Sequence, residues 1–492
     1  MATPWDGRPS GSLQLLALGL LVWRLDRCRG PVHAAWLGWL FATAWLCGTF
    51  WWMFVAMHTY AGLAGWLAAL AVFTLAAVLA LYYGAATATF VALRSSSSAA
   101  MAVLFGALWM LAELARGVWF TGFGWGAAGY AHTDGLARFS QFVGAYGVAA
   151  MVAFMAGLLA LWLARPARRQ RIWMPILALA TGALMFWSPG SFTRPVAKLP
   201  VALLQGNIAQ DVKFQPGTGV ADALNWYGQE LSAATAALVV APETAIALLP
   251  QDLPSGYWSG LRRRFEQGQQ AVLLGIPLAS VSGGYTNSVV GIKPGLRSDG
   301  AIPIYRYDKH HLVPFGEFIP PLFRWFTTMM NIPLGDFEPG AVGQASFEWQ
   351  GQRLAPNVCY EDLFGEELGR RFIDPEQAPT IFVNLSNIGW FGNTVAIDQH
   401  LNISRMRALE FGRPFIRATN TGDTAIIDHT GRVTHALARH TRGVLLGEVE
   451  GRIGATPYAW WVARAGLWPL WLGGLLVVAA ALAARRRRVD AP

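Results

Sequence analysis

SFTRPVAKLP, residues 191–200, marks the point where this chain changes texture, and the reading of the residues beyond it decides the fold. Downstream come LPVALLQGN (199–207), ALVVAPE (237–243), AVLLGIPLA (271–279), NSVVGI (287–292) and IPIYRYDK (302–309). LAPNVCYED (354–362), PTIFVNLSN (379–387), PFIRATN (414–420), TAIID (424–428) and GVLLGEV (443–449) continue the series. Each is a short apolar run closed by polar residues, the pattern of a buried strand. Helical spacing separates several of them, at 219–237, 255–268, 363–373 and 395–411. Strands alternating with helices predict a layered α/β domain over residues 195–455.

Upstream of residue 191 the texture is that of a membrane. The chain is 54% hydrophobic and 14% charged, too apolar for an ordinary soluble protein of 492 residues, and it holds 23 tryptophans. Spanning a bilayer takes about 20 apolar residues in a helix. The sequence predicts seven such spans, at 11–23, 31–50, 61–93, 99–115, 139–164, 172–188 and 465–484. Membrane helices therefore occupy 1–190 and, with a basic tail, 464–492. The formal charge of +9 with a pI near 9.7 raises the question of nucleic acid. Residues 1–193 carry +7 and the tail RRRRVDAP +3, which leaves −1 for 194–484. The basicity lies in short loops beside apolar segments, so no nucleic-acid partner is expected. By the positive-inside rule RLDRCR (24–29), Arg94, RPARRQR (165–171) and RRRR (485–488) face the cytoplasm. That places 51–60, 117–138 and 189–463 on the outer face and leaves the amino terminus outside, as though one more helix belongs before it. Glu113 and Arg116, one turn apart in a predicted span, are expected to anchor each other.

Three of the predicted strands end in reactive side chains: Glu243, Lys309 and Cys359. A cysteine attacks as thiolate, and a carboxylate within hydrogen-bond reach can take its proton. A lysine ammonium favours the thiolate and stabilises an oxyanion formed in the attack. The amide of Tyr360, just past the sulfur, offers a second donor to that oxyanion. Each position alone is weak, and the three together are specific. Cys28 and Cys47 lie in or beside apolar helices and read as small hydrophobes. His310 and His311 are adjacent, point to opposite faces of an extended segment, and have no further ligand at metal-site spacing. No metal is expected.

The order Glu, Lys, Cys in PET, YDKxHLVPFGE and CYED contexts resembles the nitrilase superfamily of carbon–nitrogen hydrolases. With the flanking apolar helices, the match narrows to the apolipoprotein N-acyltransferases. The resemblance rests on LLQGNIAQDVKF (203–214), APETAI (241–246), DKHHLVPFGEFIP (308–320), NVCYED (357–362) and VNLSNIGWFGNT (383–394). QHLNISRMRALEFGRPFIRATNTG (399–422) adds to it, and MHTYAG (57–62) and ARGVWFTGFGW (115–125) match in the membrane part. It implies a polytopic α-helical membrane domain joined to an αββα sandwich outside the cytoplasm. Glu243 is then the general base, Lys309 the oxyanion stabiliser and Cys359 the acylated nucleophile. Glu317, Tyr360 and Glu361 match supporting positions, although Glu317 and Glu361 also read as structural ion pairs. Phe214, Trp390 and Phe391 match substrate-contacting aromatics, with core packing the alternative for the last two. The chain departs from the family in Phe214 where Trp is common, Ile388 where Asp is common, and Gly124 where Pro is usual.

The implied substrates are a phospholipid acyl donor, typically phosphatidylethanolamine, and an apolipoprotein whose N-terminal cysteine bears diacylglycerol. The implied setting is the bacterial inner membrane, with the catalytic domain on the periplasmic face and the chain acting as a monomer. No cofactor is expected, since an ester supplies the free energy and the sequence has no P-loop or dinucleotide fingerprint. The apolar segment 313–343 reads as a lid touching lipid through Phe315, Phe318, Phe323, Trp325, Phe326, Met329 and Met330. Two rival readings remain: a membrane-anchored amidase that uses water as second nucleophile, and a transporter, which would place ionisable residues inside the spans.

Overall fold

All ten apolar runs downstream of residue 191 form strands in the computed structural model, which describes residues 7–164, 190–280, 282–295, 305–319 and 337–489. The strands are β1 Thr193–Gln205, β2 Leu238–Ala241, β3 Ala271–Ala279, β4 Tyr285–Ile292, β5 Tyr305–Asp308 and β6 Phe347–Trp349. The second half supplies β7 Gln352–Val358, β8 Ile381–Ser386, β9 Phe415–Thr419, β10 Ala425–Ile427, β11 Val433–Ala436 and β12 Gly443–Gly454. They make two six-stranded sheets, ordered β12-β1-β2-β3-β4-β5 and β11-β10-β9-β8-β7-β6. Each sheet has three parallel strands at its centre, β1-β2-β3 and β7-β8-β9, with antiparallel strands outside them. Parallel strands are buried on both faces, which is why their sequences read as unbroken apolar runs.

Period-two alternation divides those runs between two cores. Leu199, Val201, Leu203, Leu238, Val240 and Leu273 join Val358, Val383, Leu385 and Ile416 in the layer between the sheets. Their neighbours Ala202, Leu204, Val239, Ala241, Val272 and Leu274 pack outward with the helices Ala221–Ala233 and Tyr257–Glu266. The pairing of Val201 with Leu238 and Leu203 with Val240 holds the inward residues in register. Each fully buried aliphatic side chain contributes about 1.5–3 kcal/mol over leaving it in water. The result is an αββα sandwich, as the resemblance implied.

Two glycines let the ends of these strands crowd together. A Cβ on Gly275 of β3 would lie 2.3 Å from the carbonyl oxygen of Pro242 and 2.7 Å from Cα of Glu243. One on Gly340 would meet the carbonyl oxygen of Asp308 at 2.2 Å. Any larger residue at either place pushes on Glu243 or on the backbone before Lys309.

The chain divides into two units, one made of Met1–Met53, Trp66–Ser191 and Pro457–Pro492, the other of Phe54–Gly65 and Phe192–Thr456. Among the described residues of the first unit the longer helices are Gly11–Leu25, Pro31–Phe50, Gly65–Ala92, Ser98–Val118, Ser140–Ala164, Pro457–Ala465 and Trp468–Val489. Among the described residues four helical stretches are long and apolar enough to cross a membrane, at Gly65–Ala92, Ser98–Thr121, Leu136–Ala164 and Trp468–Arg487. A fifth arises when Pro31–Phe50 is taken with Met53–Tyr60. Gly11–Leu25 is shorter than the full bilayer thickness, and the expected span 172–188 lies outside the described residues, as does the basic cluster 165–171. Trp468 and Leu476 are 68% and 69% exposed, the apolar surface that lipid rather than water accommodates.

Glu113 and Arg116 do not anchor each other. Glu113 accepts from the indole N–H of Trp109 at 3.1 Å and the amide of Ala128 at 2.8 Å. Arg116 donates to the Tyr83 hydroxyl at 3.1 Å and to the carbonyls of Phe123 and Trp125 at 2.6 and 2.7 Å. Local backbone and aromatic groups thus meet Glu113 Oε1 and the Nε and Nη1 of Arg116.

Candidate active site

Lys309 and Cys359 directly follow β5 and β7, and Glu243 lies two residues past the end of β2. Lys309 Nζ is 3.3 Å from Glu243 Oε1 and 2.8 Å from Glu317 Oε1, with 1% of the lysine side chain exposed. Asn287 on β4 donates to both carboxylates at 2.7 Å, which ties the two acids to one amide. The amide of Asn387 completes Glu243 through Oε2 at 2.8 Å, and the amide of Val313 completes Glu317 at 2.8 Å. Burial works against the Glu243 carboxylate, but Lys309, Asn287, Lys213 and the Asn387 amide outweigh it and hold its pKa below the usual value. Burial likewise opposes the Lys309 ammonium, and the carboxylates of Glu317 and Glu243 overcome it. Base and cation therefore both stand ionised.

Cys359 opens the turn Cys359–Leu363 with φ +53°, a left-handed conformation that non-glycine residues adopt at a cost of about 1–2 kcal/mol. The side chain is half-buried and accepts from the Ser386 hydroxyl at 3.5 Å. Burial and the Glu243 charge push its pKa up to about 12, while Lys309 and Ser386 pull the other way. The lysine does favour the thiolate, as the sequence predicts, yet not by enough: the resting sulfur is a thiol.

The supporting residues fall around this group. Glu317 is the closer of the two carboxylates to Lys309, so it is part of the charged cluster rather than a remote ion pair. Glu361 accepts from the Val358 amide at 2.6 Å, the Tyr307 hydroxyl at 2.7 Å, and the amides of His310 and His311 at 2.7 and 3.2 Å. It staples the start of the Cys359 turn to the segment that carries Lys309. The Tyr360 hydroxyl donates to the Leu312 carbonyl at 2.6 Å, and its ring lies 5.6 Å from Lys309 Nζ. Phe214, 39% exposed, stacks on Trp390 with ring centres 6.3 Å apart, and Tyr60 meets the same indole edge-on at 6.0 Å. Phe391 is half-buried in the Trp390 turn, Ile388–Phe391. Of the proposed lid, Phe315 is 39% exposed, whereas Phe323, Trp325, Phe326, Met329 and Met330 lie outside the described residues. His310 Nδ1 faces the Gly340 carbonyl at 2.7 Å and His311 pairs with Glu367 at 2.9 Å.

Sequence reasoning missed the polar residues that come from strands and turns without a local signature. Lys213 is one of them. Its ammonium, 1% exposed, donates to the Glu243 carbonyl at 3.2 Å, and burial pulls its pKa down to about 7. Asn287, Asn387 and Ser386 are others. The run QDVKF puts Lys213 beside Phe214 in sequence, but only the fold brings it to Glu243.

Comparison with known proteins identifies the family. Residues 6–158 match the apolipoprotein N-acyltransferase N-terminal domain, and residues 200–458 match the carbon–nitrogen hydrolase domain. The chain is similar to the apolipoprotein N-acyltransferase of Verminephrobacter eiseniae, 59% identical over 95% of this chain and 90% of that one. It is 44% identical to the Ralstonia nicotianae apolipoprotein N-acyltransferase, over 96% of this chain and 89% of its relative. This chain belongs to the apolipoprotein N-acyltransferase family. A carbon–nitrogen hydrolase superfamily protein of Xanthomonas campestris aligns with 55% of the chain and 96% of its own, at 22% identity and a TM-score of 0.38. The apolar helices and the family together make this a membrane protein.

Proposed function

We propose that this chain N-acylates lipoproteins, passing an acyl group from a phospholipid to the N-terminal amine of an apolipoprotein by way of a thioester on Cys359. The observation that carries the reading is the buried Glu243–Lys309–Glu317 cluster acting electrostatically on a half-buried thiol held at a left-handed turn. A thiol with so high a pKa does not wait as thiolate. Its proton passes to ionised Glu243 as sulfur attacks the ester carbonyl at the glycerol sn-1 position. Lys309 and the Tyr360 amide meet the oxyanion that forms on the carbonyl oxygen. On collapse the carbon–oxygen ester bond breaks, Glu243 returns the proton to the leaving alkoxide, and a lysophospholipid departs. The free α-amine of the diacylglyceryl cysteine then attacks the thioester. Glu243 accepts a proton from that nitrogen, the carbon–sulfur bond breaks, and the sulfur is re-protonated as the amide leaves.

Phosphatidylethanolamine is the donor we favour. The helical part, 1–190 and 464–492, keeps the chain in lipid and the 195–455 domain carries the chemistry, with Phe214, Trp390 and Phe391 lining the approach of the acyl chains. We place the protein in the bacterial inner membrane as a monomer with the catalytic domain at the periplasmic face. Two basic clusters lie together, because Arg94 donates to the carbonyls of Leu25 and Cys28 at 2.8 and 2.6 Å, which supports a common cytoplasmic side.

The test uses the whole chain in detergent with phosphatidylethanolamine radiolabelled in its sn-1 acyl chain. A hydroxylamine-sensitive label on the protein is expected, and Cys359→Ala should carry none. An unlabelled wild-type protein, or equal label on the variant, overturns the proposal.

A further inference from the structure

Beneath the Cys359 turn lies a buried polar network that the chemistry above does not use. Asp362, His400, Ser404 and Arg417 are each no more than 1% exposed, as is Asn384. Arg417 Nη2 donates to His400 Nδ1 at 3.1 Å. A guanidinium only donates, so Nδ1 carries the lone pair and the proton of the neutral ring sits on Nε2. That N–H is shared between Asp362 Oδ1 at 3.0 Å and the carbonyl oxygen of Cys359 at 3.2 Å. Asp362 Oδ2 in turn accepts from the Ser404 hydroxyl, and Arg417 Nη1 donates to the His400 carbonyl at 3.1 Å. The imidazole is therefore fixed in rotation and in tautomer. Asn384 Nδ2 also donates to the Cys359 carbonyl, at 2.8 Å, and is itself held by Asn357 Oδ1 at 2.7 Å.

The carbonyl of Cys359 and the N–H of Tyr360 belong to one peptide unit. That unit is planar, with its C=O and N–H pointing in opposite directions. Whatever holds the oxygen aims the amide hydrogen. Donors on the oxygen also polarise the unit and strengthen the hydrogen bond its N–H makes, by about 10–30% per bond. We infer that His400 and Asn384 are positioning residues for the oxyanion, gripping the Cys359 carbonyl so that the Tyr360 amide is aimed and polarised toward the tetrahedral intermediate. The inference rests on the thioester chemistry proposed above. It assigns the otherwise unexplained Asp362–His400–Arg417 cluster a role in rate, distinct from placing the sulfur.

The experiment separates those roles by comparing two reactions of the same sulfur in the full-length protein. Acylation of Cys359 by p-nitrophenyl octanoate passes through an oxyanion. Alkylation by iodoacetamide forms a sulfur–carbon bond with loss of iodide and builds none. His400→Phe keeps a ring without a donor, and His400→Gln restores an N–H near the Nε2 position. His400→Phe should slow acylation about tenfold, less than the loss of a whole oxyanion donor, and leave alkylation within about twofold. His400→Gln should recover most of the acylation rate. Asn384→Ala, which removes the second donor, should repeat the pattern if His400→Phe does not fold. Parallel losses in both reactions, an unchanged acylation rate, or a wild-type sulfur inert to the nitrophenyl ester each overturn the inference. A wild type acylated by the nitrophenyl ester but not by phospholipid would instead sink the proposed function, and this inference would still be judged on the variants.

Discussion

Two buried glutamates, Glu243 and Glu361 of the Cys359 turn, stand in different electrostatic situations. Glu243 lies against a cation and is pushed toward ionisation. Glu361 is also fully enclosed, but its oxygens are met by three amides and a phenol, all neutral. Burial then wins over those hydrogen bonds and raises its pKa. Hydrogen bonds and a lesser pull from Lys309 do not offset the burial of Glu361, whereas direct contact with the Lys309 ammonium offsets that of Glu243. One residue type thus stands as the proposed base in one environment and as a structural clasp in the other. The broadest way to break this contrast is chemical. Glu243→Gln removes the proton acceptor, so acyl-enzyme formation should fall by about 10²–10⁴ while the protein still melts cooperatively. A labelled-phospholipid time course checks it, and a loss under tenfold would mean another group takes the proton.

Glu361→Gln should do the reverse and act through stability. Every partner of the carboxylate is a donor, so the amide of glutamine turns an N–H against at least one of them. A cost of about 1–3 kcal/mol is expected, read as a fall in melting temperature. The pH dependence has opposite signs for the two positions. Glu243, with its pKa lowered from 4.5, adds stability that is present above that value and lost as pH falls through the lower folded pKa. Glu361, raised from 4.5, adds stability that is present below that value and lost as pH rises through the higher folded pKa. The gap in melting temperature between wild type and Glu243→Gln should therefore shrink on acidification below 4.5. The gap to Glu361→Gln should shrink as pH climbs above 4.5. Slopes of the same sign would show that the two acids share one environment after all.

The contrast also marks what the sequence can and cannot reveal. Glu243 and Cys359 were legible because each ends an apolar run whose continuous hydrophobicity betrays a doubly buried strand, whereas Lys309 follows the partly buried edge strand β5 and was legible from the YDKHHLVPFGE stretch around it. β6 and β11 escaped notice for the opposite reason. FEW is three residues long, and VTHA is an edge strand with mostly exposed side chains, so neither buries enough to leave a pattern. Asn287, Ser386 and Asn387 sit within or beside strands where a polar residue looks like an interruption, and only the fold brings them to Glu243 and Cys359. His400 and Ser404 lie on Ala396–Phe411, a helix buried along most of its length in spite of its polar residues. The spacing at 395–411 predicts the helix but not the burial of His400 and Ser404, because hydrogen bonds to Asp362 and Arg417 hold them beside apolar residues such as Ile403 and Phe411. In the membrane part, lone polar residues gave the wrong partner for Glu113 because the chain folds the Phe123–Ala128 backbone back onto them.

The smallest effect is expected at the aromatic group. Phe214 departs from the Trp common in the family, yet it keeps the stack on Trp390 at an interplanar angle of 21°. An aromatic pair is worth about 0.5–1.5 kcal/mol beyond its buried area, which is up to about tenfold in a rate that depends on it. Phe214→Trp retains the pair and adds one N–H at a partly exposed site, so the acylation rate should stay within about threefold of wild type. Phe214→Ala should lose up to about tenfold, in KM for phospholipid more than in kcat, the result expected of a ring proposed to contact substrate and not the reacting atoms. Kinetics over a phospholipid concentration series distinguishes these outcomes. A large loss in the Trp variant with an intact Ala variant would mean that the space beyond Phe214, and not its π face, is what the acyl chain uses.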